Sequence, residues 1–173
     1  MDVFVVVLRV IHIVAGVLWA GAAFFNVLLL EPAINTSGAE GQKTMGALQR
    51  LGMVMILTVA GALTILSGLL LYGRDSAGFQ MSWIASPQGI VFTIGALAGI
   101  IGGALGGSMT GGGARRLGEL GAAVAQAGGK PTAEQAAQMT ALQQRIHLGG
   151  QLNAALLLIA VMAMAIAPEL VAH

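Results

Sequence analysis

The sequence predicts an all-α protein that crosses a membrane four times as one domain, a four-helix bundle. Of its 173 residues, 57% are hydrophobic and only 9% are charged, and the mean hydropathy is +0.86. Soluble domains carry about 25% charged residues, so lipid is the expected solvent for most of this chain. Four apolar runs, each long enough to cross a hydrocarbon core of about 30 Å, predict the number of spans.

Each predicted span is bounded by residues that disfavour its continuation. The spans cover residues 3–30, 51–72, 89–109 and 148–167. We expect Glu31-Pro32 to end the first and Gly73-Arg74-Asp75 the second. The run from Thr110 to Gly113 is expected to end the third, and Pro168-Glu169 the fourth.

Basic residues in the connections predict the orientation of the spans. Those between spans one and two, and between spans three and four, are Lys43, Arg50, Arg115, Arg116, Lys130 and Arg145. The other side carries only Arg74. Because Lys and Arg concentrate in cytoplasmic loops, we expect both termini to lie on the outer side. Phe79 and Trp83 should then lie at the outer interface.

Residues 114–145 are predicted to extend helices three and four as a cytoplasmic hairpin. Leu117, Leu120 and Val124 recur at helical spacing, and the sequence from Gly128 to Pro131 is typical of a turn. Thr132 and Gln135 then have the spacing of a capping box. Such a hairpin is either a stalk or a docking surface for a partner.

Composition excludes several kinds of site. The chain has no cysteine, so disulfides, thiolate metal sites and iron–sulfur clusters are excluded. The net charge of +1 comes from dispersed residues, which argues neither for a nucleic acid nor for an anionic lipid, and no nucleic acid partner is expected. Gly95, Gly99 and Gly103 form a double GxxxG stripe, which predicts a helix contact.

The first span carries a polar stripe on one helical face. Its members, three or four residues apart, are Arg9, His12, Gly16, Trp19, Ala23 and Asn26. His12 can supply an imidazole to a metal, Arg9 can pair with a propionate, and Gly16 leaves room for a flat group. Alternatively, Arg9 extends to the surface, His12 bonds a neighbouring helix, and Trp19 is packing.

His147 opens the fourth span and is a second candidate ligand. At 1.5 Å per residue, His12 lies about 13 Å and His147 about 30 Å below the outer surface, so the two cannot share an iron within one chain. Met162 near the depth of His12, and Met53 or Met55 near that of His147, are candidate ligands. His12 could instead meet its symmetry mate in a homodimer, or hold a five-coordinate cofactor.

The stretch from Leu8 to Gly21, LRVIHIVAGVLWAG, resembles the first helix of a group of small bacterial membrane proteins. The group includes copper-resistance D-type proteins, related uncharacterised four-helix proteins and haem-b membrane protoporphyrinogen oxidases. The shared pattern is R-x-x-H, with Trp seven residues after the His and then Gly. The resemblance implies a bacterial inner-membrane bundle in which His12 is an axial ligand of haem b or a copper-site residue. The oxidases also use a lysine in a later helix, which no span of this chain contains.

Three functions follow as expectations. The leading one is a haem-b protein that transfers electrons between a quinone or redox protein partner and an outer-face acceptor. The second is a copper-binding or copper-transport protein using His12 with Met162 and Met164. The third is a non-catalytic subunit of a membrane complex. Whether the chain is an enzyme stays open.

Overall fold

A computed structural model describes residues 2–170, and within that range every regular element is helical. The described part contains four helices long and apolar enough to cross a membrane. These spans, numbered in chain order, are Val3–Thr36, Met53–Asp75, Pro87–Gln126 and Ala133–Leu170. The predicted class, an all-α chain with four membrane-spanning helices, is confirmed at that level.

The helix of the first span continues past Glu31-Pro32, so the expected helix stop there is wrong, while the end of the membrane span near residue 30 stays a prediction. Its α-helix Val3–Phe25 passes into a π-helical turn, Asn26–Leu30, and then into the α-helix Glu31–Thr36. A proline ring clashes with the carbonyl four residues earlier in an α-helix. The wider π turn, in which Glu31 N bonds Asn26 O, immediately precedes Pro32 and changes the register there.

The third span also continues through the residues expected to end it. It consists of Pro87–Leu105, a π-helical segment Gly106–Gly111, and Gly112–Gln126. Gly113 packs closely against the fourth span: a Cβ added to it would lie 2.8 Å from Ile146 Cγ1. At this position, close helix packing rather than chain reversal accounts for the glycine.

The remaining boundaries lie near their predicted positions. The second span begins after Gly52, whose φ is +83°, and ends at Asp75. The α-helix of the fourth span, Ala133–Ile166, ends next to the predicted stop at Pro168-Glu169 and is followed by a 3-10 turn, Ala167–Leu170. This helix begins at residue 133 rather than 148 because it includes the second helix of the predicted hairpin.

The predicted turn between the third and fourth spans is confirmed. Gly128 and Gly129 have φ values of +103° and +79°. Both capping-box hydrogen bonds are present, from Thr132 N to Gln135 Oε1 at 2.9 Å and from Gln135 N to Thr132 Oγ1 at 3.2 Å. The cytoplasmic location of this region stays a prediction.

Two helices lie outside the predicted pattern. The connection between spans one and two forms the helix Gly38–Arg50, and Met81–Ile84 forms a single turn before the third span. The first of these is mostly polar, so hydropathy alone gave no signal for it.

The bundle is organised as two closely packed pairs, spans one with two and three with four. The core that joins them contains Trp19, Ala20, Ala60 and Leu157. Large apolar side chains such as Val17, Leu66 and Leu97 are 53% to 69% exposed. In lipid these surfaces need no burial, and small residues let the helix backbones approach.

Candidate functional site

The His12 imidazole lies against the backbone of the second span. Its Nδ1 is 2.8 Å from the Thr64 carbonyl oxygen and 3.4 Å from Ser67 Oγ. A carbonyl can only accept a hydrogen bond, so Nδ1 carries the proton and donates it to Thr64. In the neutral ring this leaves the lone pair on Nε2.

Gly68 makes this close approach feasible. A Cβ added to Gly68 would lie 2.7 Å from His12 Cε1 and 3.0 Å from Nδ1. These distances are shorter than real Cβ contacts, so any other residue at position 68 would displace the ring. The sequence of the second span therefore fixes the orientation of a side chain on the first.

The second ring nitrogen of His12 is left without a partner. Nε2 makes no hydrogen bond within residues 2–170. It is not fully buried either: in that range, the fully buried side-chain polar atoms without a partner are Thr110 Oγ1 and Asn153 Oδ1. The His12 side chain is half-buried. A histidine that donates one N–H to a carbonyl and keeps the other nitrogen open has the arrangement typical of a metal ligand.

Other members of the polar stripe have different surroundings. Arg9, one turn outward from His12, is exposed. Gly16 faces the second span, where its Cβ position is 3.5 Å from Thr64 Cγ2, so it does not leave the open space expected there. Trp19 is 9% exposed and is enclosed by Gly61 and Gly103, whose Cβ positions lie 3.1 and 3.4 Å from its ring.

The Cβ position of Gly99, by contrast, is open, and the residue is partly exposed. The predicted glycine stripe makes contacts at Gly95, 2.9 Å from Ala163 Cβ, and at Gly103, next to Trp19. Gly99 lies between them on the same face, yet nothing lies within 4 Å of its Cβ position. Four residues of helix place Gly99 about 6 Å outward of Gly103, and seven residues place His12 about 10 Å outward of Trp19. The open Cβ position of Gly99 therefore lies between the levels of Trp19 and His12.

His147 belongs to a separate group at the other end of the bundle. Its Nδ1 is 2.6 Å from Glu31 Oε1, and the two side chains are 51% and 23% exposed. Glu31 lies nineteen residues beyond His12, about 28 Å along the first span. The prediction that the two histidines cannot share an iron within one chain agrees with this placement, and their separation exceeds the 17 Å implied by the predicted depths.

The candidate methionines lie in varied surroundings. Met162 and Met55 are 51% and 69% exposed, on the outer surface of the bundle. Met53 lines an apolar cleft of about 210 Å³ beside Leu48 and Ile56. Met164 packs with its methyl carbon 3.2 Å from the Cβ position of Gly95. Within residues 2–170, no three His, Cys, Asp or Glu side chains are grouped so as to hold a metal ion.

Asn153 is a buried polar residue of the fourth span. Its amide lies over Gly102 and Gly106, whose Cβ positions are 3.1 Å from Oδ1 and 3.3 Å from Cγ. The interhelical hydrogen bond usual for a buried Asn is not made by Oδ1, which has no partner in the described chain. The sequence indicates that Asn153 lies within the fourth span, but it does not indicate that Oδ1 lacks a hydrogen-bond partner.

The chain matches no family model, no curated protein and no solved structure. The resemblance of the first helix to small bacterial haem and copper proteins therefore stays a prediction.

Proposed function

We propose that this protein is a haem-b-binding membrane protein that transfers electrons, with His12 as an axial ligand. The observation that carries the proposal is the hydrogen bond from His12 Nδ1 to the Thr64 carbonyl, at 2.8 Å, which leaves the Nε2 lone pair free. Haem iron accepts a neutral imidazole nitrogen as an axial ligand and supplies one-electron chemistry.

Two further features support a flat, anionic cofactor near His12. The open Cβ position of Gly99, on the glycine stripe of the third span, lies at a level between Trp19 and His12. Arg9 is exposed one turn outward from His12, and it forms no salt bridge in the described chain. Its guanidinium is suited to a propionate, because arginine binds carboxylates through paired hydrogen bonds.

The second axial position is proposed to be open or to be filled by a second protomer. His147 is excluded for an iron held by His12, because its partner Glu31 lies at the opposite end of the first span. A homodimer that brings two His12 side chains together would supply a second imidazole.

The test is the optical spectrum of the detergent-purified full chain. The wild type is expected to show a Soret band with haem in stoichiometric amount. His12→Ala should lose the band, while His147→Ala should retain it. A band that persists in His12→Ala, or a colourless wild type that holds stoichiometric Cu(I), would overturn the proposal.

A pair of glycine variants tests the open position at Gly99 independently of the ligand. Gly99→Leu should fill the space and abolish haem binding while His12 remains. Gly21→Leu is the matched control, since nothing lies within 4 Å of either Cβ position but Gly21 is exposed on the first span. Equal haem content in the two variants would contradict a cofactor beside Gly99.

The second candidate, a non-catalytic membrane subunit, is favoured by the same hydrogen bond. A His12 whose only task is to join spans one and two would donate to Thr64 just as observed. In that case the purified protein holds neither haem nor copper, and His12→Ala lowers only its thermal stability.

A further inference from the structure

Three arginines meet in a cleft between the third and fourth spans. The cleft has a volume of about 300 Å³, and Arg115, Arg116 and Arg145 line it together with Leu142 and Gly107. Arg145 lies far from the other two in sequence, and the packing of the two spans brings them together. The dispersed charge of the sequence thus becomes concentrated at one place.

The cleft is positively charged and lacks compensating carboxylates. None of the three guanidiniums takes part in a salt bridge within residues 2–170, where the ion pairs lie at Glu40, Asp2 and Glu31. Glu119, one turn beyond Arg115 and Arg116, pairs with neither of them. Guanidinium groups bind phosphate oxygens through two parallel hydrogen bonds, so this cluster favours a phosphate group.

The cleft extends through the layer of lipid headgroups. Gly107 lies about 3 Å before the third apolar run ends at Met109, and Arg115 lies about 9 Å beyond that end. Arg145 lies about 4.5 Å before the fourth run begins at Leu148. The headgroup layer is about 5–7 Å thick on each side of the hydrocarbon core. The apolar side of the cleft, at Leu142, is adjacent to the span surface.

We propose that this cleft is a binding site for the phosphate of an anionic phospholipid. The three guanidiniums bind the phosphate, and the open wall at Gly107 admits the headgroup. Basic pockets between transmembrane helices are a recurrent mode of anionic lipid recognition. The inference does not depend on a cofactor at His12.

The test measures binding of phosphatidylglycerol to the detergent-solubilised full chain by native mass spectrometry and by the shift in Tm. Phosphatidylcholine and inorganic phosphate are the comparison ligands. We expect lipid-dependent stabilisation with phosphatidylglycerol only. Equal stabilisation by inorganic phosphate would assign the cleft to a free anion, and equal binding of phosphatidylcholine would remove the role of charge; either result overturns the proposal.

Matched variants separate the cleft from diffuse surface charge. The double variant Arg116→Gln/Arg145→Gln should bind phosphatidylglycerol about 25-fold more weakly, at about fivefold for each arginine near the membrane surface. The control Arg50→Gln/Lys130→Gln removes the same charge elsewhere and should bind nearly as the wild type. If both doubles weaken binding equally, the cleft is not a site.

A third variant keeps every charge and fills the cleft. Nothing lies within 4 Å of the Cβ position of Gly107, so Gly107→Leu is accommodated without a clash and projects into the open wall. We expect it to lose lipid binding while its Tm in phosphatidylcholine is unchanged. Retained phosphatidylglycerol affinity in this variant would contradict the proposed location.

Discussion

At the scale of single residues, one hydrogen bond determines what His12 can do. Its Nδ1 proton is committed to the Thr64 carbonyl, and the Gly68 backbone leaves room for the ring. The chemistry of His12 therefore depends on two residues of another span.

Gly68→Ala should disturb this arrangement directly. The new methyl group would lie 2.7 Å from His12 Cε1, so the ring must move and the hydrogen bond to Thr64 must weaken. Overpacking of this kind costs about 1–3 kcal/mol of unfolding free energy. Unfolding in mixed micelles measures the change, and Gly21→Ala, with open space around its Cβ position, is the control. Equal stability of the two variants would contradict the contact.

Asp2 gives the expected dependence of stability on pH. The Arg74 guanidinium, 2.5 Å away, donates a hydrogen bond that lowers the pKa of the Asp2 carboxyl below its ordinary value of 3.8. The folded chain then binds a proton less readily than the unfolded chain. The stabilisation is fully present above pH 3.8 and is lost as the pH falls through the lowered pKa.

Comparison of the wild type with Asp2→Asn measures this contribution. Asn retains the capping of the first helix, where Asp2 accepts from Phe4 N at 3.1 Å, but removes the titrating charge. The wild type should be the more stable protein near neutral pH, and the difference should vanish in acid. A difference in unfolding free energy that is the same at every pH would contradict the ion pair.

Spacing alone predicted that His12, Gly16 and Trp19 share one face of the first span, because the helical period is fixed, and all three contact other spans. It did not predict that Gly16 meets Thr64, or that Trp19 fills the space between Gly61 and Gly103. Those contacts depend on the register of helices that are distant in sequence. The proton position on His12 depends on the same register.

At the scale of helices, the third and fourth spans approach each other closely at Gly149. A Cβ added to Gly149 would lie 2.5 Å from Met109 Cβ and 3.1 Å from Thr110 Oγ1. Without a hydrophobic effect inside lipid, such close packing supplies much of the association energy.

Gly149→Leu should therefore separate the two spans locally and destabilise the protein. A loss of about 1–3 kcal/mol is expected from overpacking. Gly118→Leu is the matched control on the third span, since nothing lies within 4 Å of its Cβ position. Thermal unfolding in detergent compares them, and a Gly149→Leu variant as stable as Gly118→Leu would refute the contact.

The errors in predicted helix ends share one physical cause. Pro32 and the run from Thr110 to Gly113 are helix breakers by local propensity, yet each lies in or beside a π-helical turn that keeps the span continuous. Local signals were sufficient at the end of the fourth helix and at the capping box of Thr132. A change of hydrogen-bond register depends on packing against other spans, which the sequence does not display.

At the scale of the whole molecule, the number of spans followed from hydropathy because lipid demands long apolar helices. The orientation is still a prediction from the distribution of basic residues. The absence of cysteine from the sequence allows a test free of background labelling.

Single cysteines on the two sides should differ in labelling. Ser82→Cys lies in the connection between spans two and three, and Lys130→Cys in the turn between spans three and four. With intact cells and a membrane-impermeant maleimide, Ser82→Cys should be labelled and Lys130→Cys should react only after lysis. The reverse pattern would invert the orientation.

The proposed function requires that the free nitrogen of His12 ligates haem. Replacing His12 by glycine removes the ligand, and added imidazole can then occupy the vacated position. The absorption spectrum of His12→Gly should lack the Soret band without imidazole and regain it when imidazole is added, while His147→Gly should absorb like the wild type throughout. A His12→Gly protein with an unchanged Soret band in the absence of imidazole would contradict the claim.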